Sequence, residues 1–419
     1  MNQGKTAEIR LKNVGERAQS LFQELAARTD WERCERRSAM RVGLSGIRAL
    51  LAQLGDPHLQ VPALHLAGSK GKGSTAQYLE RGLRGAGHRT GLYLSPHLSH
   101  WSERIQVNGQ PAPEELLVSA FSQVLAHCQE QETFFDLMTA AAFVVFAEAG
   151  CAYQVLETGL GGRLDSTNVV PSQAAILTGI ELEHQDILGP DLESIAGEKV
   201  GIFHEHAHNW SSLAADHPAR AVAQIRCQEW NGHLREVPIN TPCRADFPNP
   251  LPVMRRNFIL AQAVLRNLGE TTAADHLETT DPSQLILPGR FEPRLDASGR
   301  TVILDLAHTA TSLAQVLSAF RQETQGQNTG IVLALREDKD PETLAPILLA
   351  DKQAQESWFT APAGDHPRSA DPKHLARFFQ ATPLASATDL PAEPDILLVC
   401  GSTYLVGALR LQTTPCPLP

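Results

Sequence analysis

Residues 65–75 read HLAGSKGKGST. An apolar run, ALHLAG (63–68), enters this stretch and ends in glycine. STAQYLERGLRGAG (74–87) leaves it, with Ala76, Leu79 and Leu83 on one helical face and Gly85 and Gly87 as stops. RTGLYLS (89–95) reads as the next strand. Strand, glycine-rich turn, helix and strand make a βαβ crossover. Free N–H groups and the helix dipole favour an anion at such a turn, and glycine lets the backbone curl closely around it. Lys72 adds a point charge, and Ser74 and Thr75 add hydroxyls. Gly71, Lys72, Gly73 and Ser74 therefore suit a nucleoside triphosphate carrying magnesium. The strict pattern G-x-x-x-x-G-K-[ST] is not met: Gly68 and Gly71 stand too close together, and Gly73 occupies the place of the hydroxyl. For the turn alone, a solvated glycine loop is the competing reading.

The alternation spreads outward from this unit. Upstream, residues 14–55 look helical, with Leu21, Phe22, Leu25 and Ala26, then Leu44, Ile47 and Leu51, at helical spacing. Downstream, LMTAAAFVVFAEAG (137–150) reads as a helix, YQVLETG and AAILTGI as buried strands, and LESIAGEKVGIF as the start of a helix. Residues 204–256, rich in histidine, proline and asparagine, break the rhythm, and MRRNFILAQAVLRNLG (254–269) restores it. After LPGR (287–290) a second series alternates from TVILDLAH to DILLVCGS. Such alternation predicts parallel sheets covered by helices. The expected fold class is α/β: a P-loop-type, mostly parallel sheet domain over 1–287 with helices on both faces, and a smaller Rossmann-like domain over 288–419.

The chain has 419 residues and a formal net charge of −11, which argues against a general nucleic-acid or membrane-surface binder. The start lacks the apolar core of a signal peptide, and no apolar run approaches a membrane span. Seven cysteines are scattered without a CxxC pair, so neither a disulfide framework nor a zinc site is indicated. A cytoplasmic protein with reduced thiols is expected.

Longer blocks carry a resemblance. HLAGSKGKGST, GLYLSPHLSHWSERIQVNGQ, LETGLGGRLDSTNVV, ELEHQDILGPDLESIAGEKVGIF, LPGRFE, DLAH and GSTYLVGALR occur in this order. Together they resemble the folylpolyglutamate synthase/dihydrofolate synthase family of Mur-type amide ligases, over most of residues 40–203 and 285–410. The resemblance implies an ATP-dependent ligase that joins L-glutamate to a dihydropteroate or reduced folate carboxylate through an acyl phosphate. It implies ATP as substrate, two Mg2+ ions, small-molecule partners only, and a monomer.

The resemblance also implies roles for single residues. Lys72, Lys199 and His184 are candidates for catalysis. Ser95, Glu157, His184 and Lys199, the last if carbamylated by carbon dioxide, are candidates for the metal ions. Glu157 fits its part on general grounds too, because it ends a strand at the edge where parallel sheets bind ligands. A lysine on a helix carrying Glu193 and Glu198 can equally be a surface ion pair. Asn257, Arg290 and Asp305 resemble the remaining nucleotide contacts; Asp305 can also be read as a helix N-cap. For the acid substrate the resemblance points to Thr133, Phe134, Phe135 and Asp136, to Leu164, Asp165 and Ser166, to His97, and weakly to RVG (41–43). Phe134 and Phe135 can stack on a flat heterocycle, or serve the core.

The chain departs from the family pattern at several points. Thr309 stands where asparagine is usual, Glu183 where aspartate is usual before the histidine, and the phosphate turn carries the extra Lys70. Residues 204–253 do not resemble the usual strand-rich segment. A ligase of the same chemistry on another acid and amine, or a catalytically silent nucleotide-binding module, are the alternative expectations.

Overall fold

In the computed structural model the residues described are 15–29, 43–230, 232–238, 240–364 and 367–416. They fall into two compact units. The first holds the described residues through His97, Ser102–Ala245 and Val253–Thr280; the second holds Leu98–Trp101, Asp246–Pro252 and the described residues from Asp281 on.

The first unit is built on an eight-stranded sheet. Its strands are β1 (Ala63–Ala67), β2 (Thr90–Tyr93), β3 (Ile105–Val107), β4 (Gln110–Pro111), β5 (Tyr153–Glu157), β6 (Ala174–Leu177), β7 (His208–Ser211) and β8 (Arg235–Glu236). They lie in the order β4-β3-β2-β5-β1-β6-β7-β8. From β2 to β8 all neighbours are parallel; β3 and β4 run antiparallel at one edge. β1, β2 and β6 are buried along their whole length, as expected of parallel strands covered on both faces.

The expected crossover helix is Lys72–Gly85, between β1 and β2. The helix expected over 137–150 runs Phe134–Glu148 and is apolar nearly all round. It packs on β2 and β3 on one side and on the helices Ser45–Gln53 and Glu114–His127 on the other, so its middle, Leu137–Phe146, is buried all round. Gly91 in β2 is small for the same reason: a Cβ there would come within 2.5 Å of the Phe146 ring.

Three features of this unit differ from the expectation. The 204–253 segment is not without regular structure: it forms β7, the helix Ala219–Glu229 and β8. Its pattern is weak because β7 reads HNWS and the helix buries small residues, Ala219, Ala223 and Cys227. Asn209 is buried in β7 because its Nδ2 donates to the His204 carbonyl at 3.1 Å. The β3–β4 hairpin also lies outside the strand–helix rhythm; it turns on Asn108 and Gly109, both with positive φ (52° and 67°), as a two-residue primed turn demands. The helical stretch expected over 14–55 is two helices, Glu16–Ala26 and Ser45–Gln53, among the described residues.

The second unit holds a seven-stranded sheet. Its strands are β9 (Glu292–Leu295), β10 (Thr301–Leu304), β11 (Thr329–Leu333), β12 (Glu356–Thr360), β13 (Thr382–Pro383), β14 (Ile396–Cys400) and β15 (Thr414–Pro415). The order is β13-β12-β11-β14-β10-β9-β15, parallel from β13 to β10 and antiparallel beyond. The expected alternation 301–402 is therefore present, with helices at Ala310–Glu323, Pro341–Leu349, Pro372–Phe379 and Thr403–Arg410. The α/β class expected from the alternation is the class observed. Among the described residues no helix is long and apolar enough to cross a membrane.

Candidate active site

The phosphate-type turn spans the gap between β1 and the helix Lys72–Gly85. The amides of Ser69 and Lys70 donate to the Gly179 carbonyl at 2.7 and 3.2 Å, and Gly179 N donates back to Lys70 O at 3.1 Å. The turn is thus tied to the chain that leaves β6. Gly71 is the helix N-cap, with φ +90° and no side-chain cap. Uncapped N–H groups of a first turn are what an anion needs. Ser74 and Thr75 are buried in that turn, and Thr75 Oγ1 has no hydrogen-bond partner within the protein.

Gly71 meets two constraints together. Its φ lies in the left-handed region, and a Cβ would approach Asn257 Oδ1 to 2.7 Å. Asn257 itself is buried on the helix Pro252–Asn267, against the turn. Gly71→Ala should therefore destabilise the protein by about 1–2 kcal/mol from the backbone alone, and weaken nucleotide binding as well. Urea unfolding and nucleotide titration check this; unchanged stability would mean that the turn relaxes freely.

Four charged groups gather around the turn. Lys72 Nζ and Lys199 Nζ both donate to the Gly68 carbonyl, at 2.8 and 3.1 Å. Lys72 Nζ lies 4.0 Å from Glu157 Oε1, and Lys199 Nζ 2.8 Å from Glu183 Oε1. Lys199 ends the helix Leu192–Lys199 and its side chain is only 2% exposed. Burial draws its pKa down to about 8; Glu183 opposes that shift and Lys72 adds to it. Burial pushes the Glu183 carboxyl up, but Lys199 and then Lys72 outweigh it and hold the group at about 2. The surface-pair alternative for Lys199 with Glu193 or Glu198 is not what the structure contains: Glu198 pairs with Arg163, and Lys199 points inward to Glu183.

Glu157 closes β5, and its Oε2 accepts the Ser95 amide at 3.1 Å. Ser95 lies two residues past the end of β2. Gly73 leaves room for this carboxylate, since a Cβ would sit 3.2 Å from Glu157 Oε2. His184 has left-handed backbone (φ 47°) and begins the short helix Gln185–Leu188, beside Glu183. Among the described residues no three His, Cys, Asp or Glu side chains are grouped closely enough to hold a metal ion by themselves. A dedicated protein cage is therefore absent among them. A hydroxyl, one carboxylate and a buried, unpartnered Thr75 hydroxyl beside a helix N-terminus instead fit magnesium that keeps waters and phosphate oxygens as ligands.

The expected acid-binding residues cluster, but they divide their work. Thr133 and Asp136 form a capping box at the start of the helix Phe134–Glu148. Asp136 Oδ1 also accepts from Ser166 Oγ at 2.6 Å, which joins the two segments. Phe134 is buried: its ring meets Phe22 edge-on at 5.8 Å and lies under the Arg104 guanidinium at 5.4 Å. Phe134 is thus a core residue, as its alternative reading allowed. Phe135 is half-buried, tilted against Tyr93 and close over Gly159, and Leu164 is half-buried. Asp165 is buried and accepts from Gly159 N and Leu160 N at 2.9 Å each. Burial raises its pKa against the pull of these hydrogen bonds. His97 Nδ1 accepts from Arg104 Nε at 3.0 Å. Of RVG (41–43), residues 41 and 42 lie outside the described residues.

Arg290 and Asp305 belong to the second unit. Arg290 stands between Gly289 and Phe291, both with positive φ (63° and 50°). Four bonds hold this bend: Gly289 N to Glu292 Oε2 (2.7 Å), Asn249 Nδ2 to Arg290 O (2.7 Å), Phe291 N to Asp305 Oδ2 (2.8 Å) and Arg290 N to Leu287 O (3.1 Å). Asp305 also accepts from Ala307 N at 2.8 Å. The N-cap of the following helix Ala310–Glu323 is Thr309, in a capping box with Ser312, and not Asp305. Sequence reading missed Asn249, Glu292, Thr167 and Arg104. Glu292 sits inside LPGRFE and Thr167 inside LDSTN, but each joins a near neighbour to a partner far along the chain, Arg410 for Glu292 and His65 for Thr167, and that pairing only the fold reveals.

The family described as Mur ligase, glutamate ligase domain, matches residues 289–403. The dihydrofolate synthase/folylpolyglutamate synthase of Bacillus subtilis is 39% identical over 421 residues, covering 88% of this chain and 95% of the relative. The protein of the same name from Escherichia coli is 33% identical over 388 residues, covering 87% and 90%. Among solved structures, E. coli FolC in complex with DHPP and ADP superposes with a TM-score of 0.78 at 27% identity, covering 95% of this chain and 97% of that one. The bifunctional Yersinia pestis enzyme complexed with AMPPNP and Mn ion does so with a TM-score of 0.76 at 26% identity, covering 95% and 98%. Relatives 39% and 33% identical over nearly nine-tenths of this chain, with the ligase-domain match over residues 289–403, place it in the dihydrofolate synthase/folylpolyglutamate synthase family of Mur-type ligases.

Proposed function

We propose that the protein is an ATP-dependent ligase that adds L-glutamate to dihydropteroate, to a reduced folate, or to both. The substrate carboxylate attacks the γ-phosphorus of ATP, ADP leaves, and the glutamate amine then displaces phosphate from the acyl phosphate. The observation that carries this reading is the turn at Gly68–Gly71: the Lys72 ammonium lies beside an uncapped helix start, with the Glu157 carboxylate 4.0 Å away. The Gly68 carbonyl accepts from both lysines. A triphosphate offers Lys72 a stronger, charged partner.

Similar structures solved in complex with ADP, and with AMPPNP and Mn ion, support a nucleotide and a divalent metal as ligands; the turn is where we assign them. We assign two Mg2+ ions, held through Ser95 and Glu157 and through His184 and Lys199. Magnesium neutralises phosphate charge and orients the γ-phosphoryl group. The protein's own part is to hold the phosphates on the Gly71–Ser74 amides and Lys72, and to set the acid against Phe135, Leu164 and Ser166. Asn257 stands against the turn for the nucleotide, and Arg290 and Asp305 are assigned to it from the family resemblance. A monomer working in the cytoplasm belongs to this proposal; seven cysteines without a CxxC pair are in keeping with a reducing compartment.

Lys199 fits carbamylation on its own chemistry. With a pKa near 8, part of its amine is neutral at mildly alkaline pH, and a neutral amine adds carbon dioxide with loss of one proton. The product is an anionic oxygen donor in place of a cation. Lys199→Ala should lose most of its turnover, and short carboxylic acids should restore part of it. Full activity without any added acid would remove Lys199 from the site.

The deciding experiment incubates the protein with ATP, L-glutamate and either dihydropteroate or tetrahydrofolate, and follows phosphate release and product mass. Release that depends on both glutamate and a pterin acid supports the proposal. Nucleotide binding without ADP formation from any acid and amine overturns it.

A further inference from the structure

β1 runs through the middle of the first sheet, between β5 and β6, and His65 is at its centre with no exposed surface. His65 Nε2 lies 2.8 Å from Thr167 Oγ1. Thr167 Oγ1 and Thr167 N both donate to Asp165 Oδ1, and Gly159 N and Leu160 N donate to Asp165 Oδ2. These four donors fill the lone-pair sites of one carboxylate. The threonine proton is therefore committed to Asp165, and Thr167 Oγ1 is left to accept from His65. His65 must carry its proton on Nε2. Its Nδ1 is buried without a partner, which suits the bare nitrogen of the neutral ring. Burial keeps that ring neutral by drawing its pKa down to about 3.

We infer that His65 and Thr167 are positioning residues: a buried relay, His65–Thr167–Asp165, that fixes the turn 159–168 to the strand beneath the phosphate-type loop. This turn follows Glu157 directly and carries Leu164 and Ser166. The inference rests on the reading that the turn meets the acid substrate. A strand centre is filled well by valine or isoleucine. A buried imidazole with one orphan nitrogen costs stability, and the relay it completes is what that cost supports. Asp165, expected at the substrate, here spends both oxygens on its own turn and on Thr167, so it acts through the turn's shape.

Two measurements test this. Thr167→Val removes the hydroxyl and keeps the shape. It should raise the KM for dihydropteroate or tetrahydrofolate about tenfold, with kcat and the KM for ATP within about twofold, and Thr167→Ser should return the KM near to that of the wild type. An unchanged acid KM, an ATP KM that rises in step, or failure of serine to restore would overturn the inference. The 15N spectrum of His65 in the unmodified full chain gives a readout independent of turnover and of the folding of any variant. A proton on Nε2 supports the relay, and a proton on Nδ1 overturns it. Absence of turnover in the wild type on any pterin acid would remove the substrate reading, while the 15N spectrum would still decide the relay.

Discussion

Replacing Lys72 by alanine should lower turnover by about 10²–10³-fold, the range seen when one preorganised donor to developing charge is removed. The fold should survive. Lys72 Nζ makes one backbone hydrogen bond, to Gly68 O, and a loose pair with Glu157 at 4.0 Å. Lys199 still donates to the same carbonyl after the change, so no buried acceptor is orphaned. The side chain retains some exposure, at 14%, and its truncation leaves no sealed cavity. Phosphate release at saturating ATP, together with a thermal melt, separates the two effects. Turnover within about threefold of the wild type would refute the phosphate role; a collapsed melt would mean that Lys72 is structural.

Glu157→Gln is the second large effect. Glutamine keeps the size of the side chain and an oxygen to accept the Ser95 amide, now at 3.1 Å. What is lost is the negative charge beside the helix start and Lys72. The magnesium concentration needed for half-maximal activity should rise at least about tenfold and turnover should fall about a hundredfold, while the KM for the pterin acid changes by less than about threefold. The opposite pattern, a weakened acid with unchanged metal dependence, would move Glu157 out of the metal's neighbourhood and into the substrate's.

Legibility from sequence followed the physics of each element. Buried parallel strands read as mostly apolar runs, and β1, β5, β6, β11 and β14 were legible that way despite His65 in β1 and Gln154 and Glu157 in β5. β7, reading HNWS, did not, because parallel pairing with β6 and a side-chain bond from Asn209 replace the missing apolar pattern. The Asn108–Gly109 turn was readable but lay outside an alternation of strands and helices. At the site, Lys72 and Glu157 sit where local signals put them, a helix start and a strand end; that Lys199 ends its helix is seen only in the structure. The convergence of Lys72 and Lys199 on Gly68 O is set only by the fold. Thr133, Asp136 and Asp165 show the other limit. The resemblance points to them for a ligand, while their side chains are occupied by a helix cap and a turn. Polar residues near a site serve the scaffold as often as the substrate, and only the bond partners separate the two uses.

The mutual bonding of Lys70 and Gly179 has a thermodynamic consequence. Freezing a wandering loop costs about 1–2 kcal/mol for each residue's backbone, and a nucleotide arriving at such a loop would spend part of its attraction on that task. Here bonds to the chain beyond β6 hold the curve from within the protein itself. Calorimetry of nucleotide uptake should accordingly lack the large unfavourable entropy of coupled folding.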